Sequence, residues 1–432
     1  MVGKINLSSL SFILAIIAVL ISYNVYSQIN WNYIQHEMEN VQTMSQIPLG
    51  HYSTIVYKNG TKIIVEDWRG KRIAEGTAGV DDTIVIQQAI NQGGKVFIKS
   101  GSYVITKPII VGDNTIVEGE KETELYTPVF TTTIINLGNN CVLRNIKVNG
   151  HGKDAGTDQL GITISGQYSV VENCEVSETP NDPIIIANSN NRVINNYVHD
   201  VDEGIEVTTL RGDVTEVNNV IIAYNTVENS NGECSELRAV PGETIGDILY
   251  LGNTFRNCVA GILLYSAGTF ENINIIGNTF ENVKVGLSDT HPGATIRGIS
   301  MISNVQENGA TFIRALNTDY YGCVIQGNRI YNNTDSGINF GPKSAYNCVI
   351  KGNIIDTIIG EHGDGIRLYY NSTNNIVEGN VIRNCNRNGI RLYKNVGANI
   401  ITNNIIKNCK TAIFGVLENT SNIIQNNLGY NK

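Results

Sequence analysis

Glu203 and Glu206 stand three residues apart in "HDVDEGIEVT" (199–208), within a band where residues 151–250 carry 17 Asp/Glu against 4 Lys/Arg. Two neighbouring carboxylates can divide general acid and base work between them. In a second scheme they hold Ca²⁺ while Arg238 abstracts a proton beside a uronate carboxylate. The plainer alternative is a solvated acidic turn or a structural Ca²⁺ site.

A second group has the opposite charge. Residues 351–432 carry 9 Lys/Arg against 5 Asp/Glu, and they include "DGIRLY" (364–369) and "NGIRLY" (388–393). Arg314, Arg367 and Arg391, interleaved with Tyr265, Tyr369 and Tyr393, suit an acidic polysaccharide or cell-surface glycan. Guanidinium groups fork onto carboxylates, and aromatic rings lie on sugar faces. The same pattern also fits a merely soluble sheet face. A net charge of −9 disfavours nucleic acid, which needs a continuous basic footprint. His199 and His362 sit beside Asp200 and Asp364 in turns and read as polar loop residues. "HEME" (36–39) lacks the second histidine of a zinc-protease helix.

The elements that must position these residues repeat. "CVIQGNRIYNN" (323–333), "CVIKGNIIDTI" (348–358) and "NIVEGNVIRNC" (375–385) share one pattern, and its asparagine recurs at Asn145, Asn173, Asn196, Asn225, Asn253, Asn278, Asn304, Asn328, Asn353, Asn380, Asn404 and Asn427. Spacings of 23 to 29 residues suit one coil of a β-solenoid. Stacked corners would let each side-chain amide donate to one rung and accept from another. The asparagine, often preceded by glycine, is expected to take the left-handed conformation of the corner.

A second signature, "EGIEVT" (203–208), "AGILLY" (260–265), "SGINF" (336–340), "DGIRLY" and "NGIRLY", implies a glycine turn followed by alternation. It predicts Ile205, Ile262, Ile338, Ile366 and Ile390 facing inward. The outward column then reads Thr163, Ile185, Glu206, Arg238, Leu263, Ser288, Arg314, Asn339, Arg367, Arg391 and Phe414. The fold class is all-β, a parallel solenoid of about 12 or more rungs.

Upstream, "HYSTIVYKNGTKIIVEDWRGKRIAEG" reads as a small β element with hairpin turns at Asn59-Gly60 and Arg69-Gly70 (residues 49–77). "GVDDTIVIQQAINQGG" reads as one amphipathic helix over 81–92, capped by Asp81 or Asp82 and stopped by Gly93. Residues 5–26 carry no charge and meet a membrane as a signal-anchor helix within 1–27, or act as a cleaved signal peptide. Residues 28–48 form a polar spacer. Either reading places 78–432 outside the cytoplasm, membrane-anchored or secreted.

The run "DDTIVIQQAINQGGKVFIKSGSYVI" followed by asparagine-marked coils resembles the right-handed parallel β-helix superfamily, which includes pectate lyases, rhamnogalacturonase and epimerase-like proteins and phage tailspikes. The resemblance covers roughly 78–430 and implies a right-handed, pectin-lyase-like solenoid closed by a helical cap. It also implies the Ca²⁺-and-arginine scheme, which is known among β-helix lyases. The superfamily holds lyases, hydrolases, epimerases and noncatalytic proteins, so a glycan-cleaving enzyme, an adhesive glycan binder and a structural rod that oligomerises all remain open. The eight cysteines follow the repeat and read mainly as buried thiols, with Cys385–Cys409 the foremost disulfide candidate.

Overall fold

The computed structural model describes residues 51–129, 131–150, 152, 158–415 and 421–429. The apolar stretch 5–26 and the spacer 28–48 lie outside the described residues. Among the described residues no helix is long and apolar enough to cross a membrane.

Three parallel sheets run the length of a solenoid of about 13 turns, one of 20 strands and two of 13. Each rung contributes to each sheet in turn, so in-register neighbours come from successive turns. Glu206 pairs with Glu236, and Arg367 with Arg391. At about 4.8 Å per rung this gives a rod on the order of 60 Å long. Ile205, Ile262, Ile338, Ile366 and Ile390 are all fully buried, as the alternation requires.

The N-terminal hairpins join the first sheet. Strand β1 (Thr54–Asn59) pairs antiparallel with β2 (Lys62–Asp67) and parallel with β4 (Gly94–Ile98), while β3 (Arg72–Thr77) pairs antiparallel with β2. Between β3 and β4 lies α1 (Asp82–Ile90), which buries Val85, Ile86, Ala89 and Ile90 over the end of the core. Its side chains also satisfy the open sheet edges. The Gln87 amide accepts from Ile110 N–H at 2.9 Å and donates to Ile110 C=O at 2.8 Å, and Asp82 Oδ2 accepts from Val104 N–H at 2.8 Å. Covering an edge in this way blocks further strand addition. Asp81 occupies the N-cap position without a capping side-chain bond.

An amide ladder runs from Asn196 to Asn427. Asn196 Nδ2 donates to Asn225 Oδ1 at 3.0 Å, and the same bond repeats through Asn253, Asn278, Asn304, Asn328, Asn353, Asn380 and Asn404. Asn145 and Asn173 are not members. Asn196 Oδ1 accepts from Cys174 N–H, which puts Cys174 in the ladder position one residue later. The left-handed residue is the one before the ladder asparagine, such as Gly252, Gly277 or Ser303. Turning and bonding are thus divided between two adjacent residues.

The glycines of the second signature do not turn the chain. They permit close approach, since a Cβ on Gly204 would lie 1.9 Å from Cys234 O. The disulfide expectation is corrected as well. Cys234 and Cys258 are bonded, with Cα atoms 5.7 Å apart, whereas Cys385 and Cys409 are free thiols. The disulfide ties down the rung that carries Glu236.

Candidate functional site

The third sheet carries both groups of chemistry-bearing side chains, one toward each end. At the N-terminal end, Ile205–Thr208 and Ser235–Arg238 are adjacent strands, with Glu206 opposite Glu236 and Thr208 opposite Arg238. Glu236 therefore takes the place in the outward column that the sequence reading gave to Arg238. Arg238 stands two residues on, opposite Tyr265. The register Ile184, Ile205, Ser235 also aligns the residues two places earlier, Asp182, Glu203 and Glu233. Five carboxylates gather here, and three of them, Glu203, Glu206 and Glu236, lie against one arginine, Arg238.

Arg238 Nε lies 3.3 Å from Glu206 Oε1, and its Nη2 lies 3.7 Å from Glu203 Oε2. The same guanidinium binds Glu236 directly and sits 4.9 Å from the centre of the Tyr265 ring. Arg211 reaches Glu206 Oε2 at 3.9 Å. Asp182, Glu206 and Glu236 are buried, and Asp182 lies within hydrogen-bond reach of Glu203 and Glu206, so that among the described residues only a shared proton satisfies its oxygens. Ionised carboxylates in that position would be strongly disfavoured.

The acidities follow. Burial, then the charges of Glu206 and Glu203, pushes the Asp182 carboxyl well up. Glu203 is raised by burial and by Glu236, and Glu206 by burial against the pull of Arg238. Burial and the neighbouring Glu233 push Glu236 up to about 8. Burial alone would lower Arg238, but the Glu236 hydrogen bond and the charge of Glu206 outweigh it and raise its pKa. Glu203 and Glu233 are only partly buried and form the accessible layer. Their carboxylate oxygens and those of Glu236 lie within 4.8 Å of one another, a hard-oxygen set of the kind that holds a divalent cation.

At the C-terminal end the same columns carry different residues. Arg367 and Arg391 are in register and both lie against Asp364, with Arg367 Nε at 2.7 Å and Arg391 Nη1 at 3.6 Å from Oδ2. Asn388 donates to Asp364 Oδ1 from its backbone and side chain. Asp364 is thus fully partnered. Tyr369 and Tyr393 pack with ring centres 4.9 Å apart and planes tilted by 43°, and Arg391 lies over both. Among the described residues Arg314 makes no ion pair. It stands alone in the column, next to Asn339 and two rungs before Arg367.

Glu203, Glu206, Arg238 and Tyr265 are therefore brought together, as are Arg367, Arg391, Tyr369 and Tyr393. Asp182, Glu233 and Glu236 went unnoticed in the sequence. The signal for two of them was present: "ECSE" (233–236) repeats the spacing of "EGIE" (203–206), but without the glycine that marks the other copies. His199 contacts Asp200 at 2.8 Å and Glu175 at 3.5 Å on the second sheet, away from both groups.

The family model described as "Right handed beta helix region" matches residues 134–304 and 293–428. The chain belongs to the right-handed β-helix family. No curated protein sequence matches it. Among solved structures it is similar to the Dettilon tailspike protein gp208 (15% identity, TM-score 0.51, covering 80% of this chain and 67% of that one). It is also similar to the catalytic unit of a GH87 α-1,3-glucanase from Streptomyces thermodiastaticus (14%, 0.48, 80% and 65%) and to the surface protein and adhesin PfbA of Streptococcus pneumoniae (14%, 0.47, 81% and 97%). The chain spans about two thirds of the first two. The likeness to the tailspike protein bears on the fold alone.

Proposed function

We propose that the chain binds an acidic polysaccharide along its third sheet and cleaves it by acid–base catalysis at the carboxylate cluster. The observation that carries this reading is the pair of buried carboxyls, Asp182 and Glu206, which meet each other and so must share a proton, beneath the more accessible Glu203 and Glu233. Such crowding keeps some carboxyls protonated near neutrality while others stay charged, which is what a general acid and base require. Glu203 and Glu233 are placed to touch a sugar, and Glu206, Glu236 and Asp182 set their protonation.

Arg238, enclosed by carboxylates, stays charged. It serves as a counter-charge and not as a proton acceptor, which favours hydrolysis over arginine-driven elimination. The donor set fits Ca²⁺, and Glu203, Glu233 and Glu236 would hold it. There the ion would neutralise the cluster and attract a sugar carboxylate. The domain acts outside the cytoplasm, tethered through residues 5–26 or released if that segment is removed.

The test is mass spectrometry of products after the full-length chain meets a panel of acidic and neutral polysaccharides. Fragments carrying one added water, with their rate of formation cut by about 10²–10⁴ in Glu203→Gln/Glu206→Gln, are expected. Unsaturated fragments would replace hydrolysis with elimination. No fragments from any polymer would leave an adhesive or structural rod.

A further inference from the structure

The cationic end of the third sheet is more than the column seen in the sequence. His362, Arg367, Tyr369, Tyr370, Arg387, Arg391 and Tyr393 line an open concavity of about 310 Å³. Arg367 and Arg391 form its floor, largely buried and tied to Asp364. His362 and Arg387 form its rim, with Arg387 Nη1 3.4 Å from His362 Nδ1. Among the described residues, Arg391 Nε is buried and has no hydrogen-bond partner, so the floor keeps a donor unsatisfied. Tyr369, Tyr370 and Tyr393 form the aromatic wall, and Lys394 lies over the last two. Asp335 also lies 3.4 Å from Arg367 Nη2, so Arg367, Arg387, Arg391 and Lys394 against Asp335 and Asp364 leave an excess of two positive charges.

We infer that this concavity is a distal subsite for a carboxylate- or sulfate-bearing sugar, which makes the protein act on long acidic chains and discriminate against short ones. The inference rests on the proposed function above. Arg387 and Arg391 meet the anionic group, and the tyrosines meet the ring, since a guanidinium pairs with an oxyanion and an aromatic face with a sugar face. The register fixes the span. Glu236, Leu263, Ser288, Arg314, Asn339 and Arg367 are successive in-register neighbours, so the subsite lies five rungs, or about 24 Å, from the carboxylates. A chain of several sugars can occupy both places at once and gains avidity from the second contact, whereas a disaccharide can occupy only one.

The experiment measures binding and cleavage separately on the full-length chain. Binding is measured with Glu203→Gln/Glu206→Gln by calorimetry, using oligogalacturonates of graded length, dextran sulfate fragments as the sulfate arm, and dextran as the neutral control. Affinity is expected to rise at least tenfold above a threshold length for an acidic ladder and not for dextran. The galacturonate and sulfate arms identify the anion. Arg387→Ala, at a half-exposed rim position, is expected to remove the step, and His362→Ala to weaken it. Equal affinity for short and long fragments, or a step that survives Arg387→Ala, would overturn the inference. Cleavage without a length step keeps the enzyme and removes the subsite, whereas a step without cleavage keeps the subsite and removes the enzyme.

Discussion

The two ends of the third sheet use one backbone pattern with opposite electrostatic results. At the acidic end the tetrapeptides are "EGIE" (203–206) and "ECSE" (233–236), and at the cationic end they are "DGIR" (364–367) and "NGIR" (388–391). Glu233 and Asp364 occupy one column, and Glu236 and Arg367 the next. Where an acid precedes an arginine, the pair neutralises itself, and Asp364 gains four contacts with Arg367, Arg391 and Asn388. Where acid precedes acid, stacking adds like charges, and among the described residues only Arg238 and Arg211 pair with them. At the cationic end the buried carboxylate is already paired, whereas the acidic end needs protons or a cation to balance it, the condition under which carboxyl groups become useful acids.

The largest expected contrast lies in removing one arginine from each end. Arg238→Ala leaves buried Glu206 and Glu236 without their main counter-charge and is expected to cost about 3–5 kcal/mol in denaturant unfolding. Arg391→Ala leaves Asp364 held by Arg367 and Asn388 and is expected to cost about 1–2 kcal/mol. Equal losses would show that the ends are balanced alike.

A smaller effect is expected from pH. Glu236 is raised by burial to about 8 from 4.5, so the fold favours its protonated form. Its contribution is fully present below the unfolded value and is lost as pH rises through about 8. Stability should therefore fall between pH 5 and 9, by up to a few kcal/mol, and Glu236→Gln should flatten that slope. A wild-type slope unchanged in Glu236→Gln would move the pH sensitivity to another group.

The mildest test adds Ca²⁺. Terbium luminescence sensitised by Tyr265 should saturate in the wild type and vanish in Glu203→Gln/Glu233→Gln, with Ca²⁺ competing for the site. The unfolding midpoint should rise by about 1–3 kcal/mol equivalent at saturating Ca²⁺. Luminescence that survives the double substitution would place the ion elsewhere.

Much of this comparison was legible before the structure. The solenoid, the inward isoleucines and the separation into an acidic and a cationic end follow from repeats and alternation, which are local properties. The membership of the acidic cluster was not. The rung of Glu236 has cysteine and serine where other copies have glycine and isoleucine, so its register could be misread by two residues, and Arg238 was placed where Glu236 belongs. Asp182 introduces "DPII", which shares only its first acid and third isoleucine with "EGIE". The cysteines differ: Cys385 and Cys409 do lie side by side, as their equal spacing implies, but as free thiols, while the bond joins Cys234 and Cys258.

The sequence by itself determined that a rung must stack, because one coil cannot bury its own apolar face, and which residue types would line each face. Only the tertiary structure decided which carboxylates meet. The turns between strands vary in length, so residues 21 positions apart in one pair of rungs and 30 in the next are aligned by inter-rung hydrogen bonds and not by counting. Burial then shifts the acidity of those that meet, and it arises only when Asp182, Glu206, Glu236 and Arg238 close over one another.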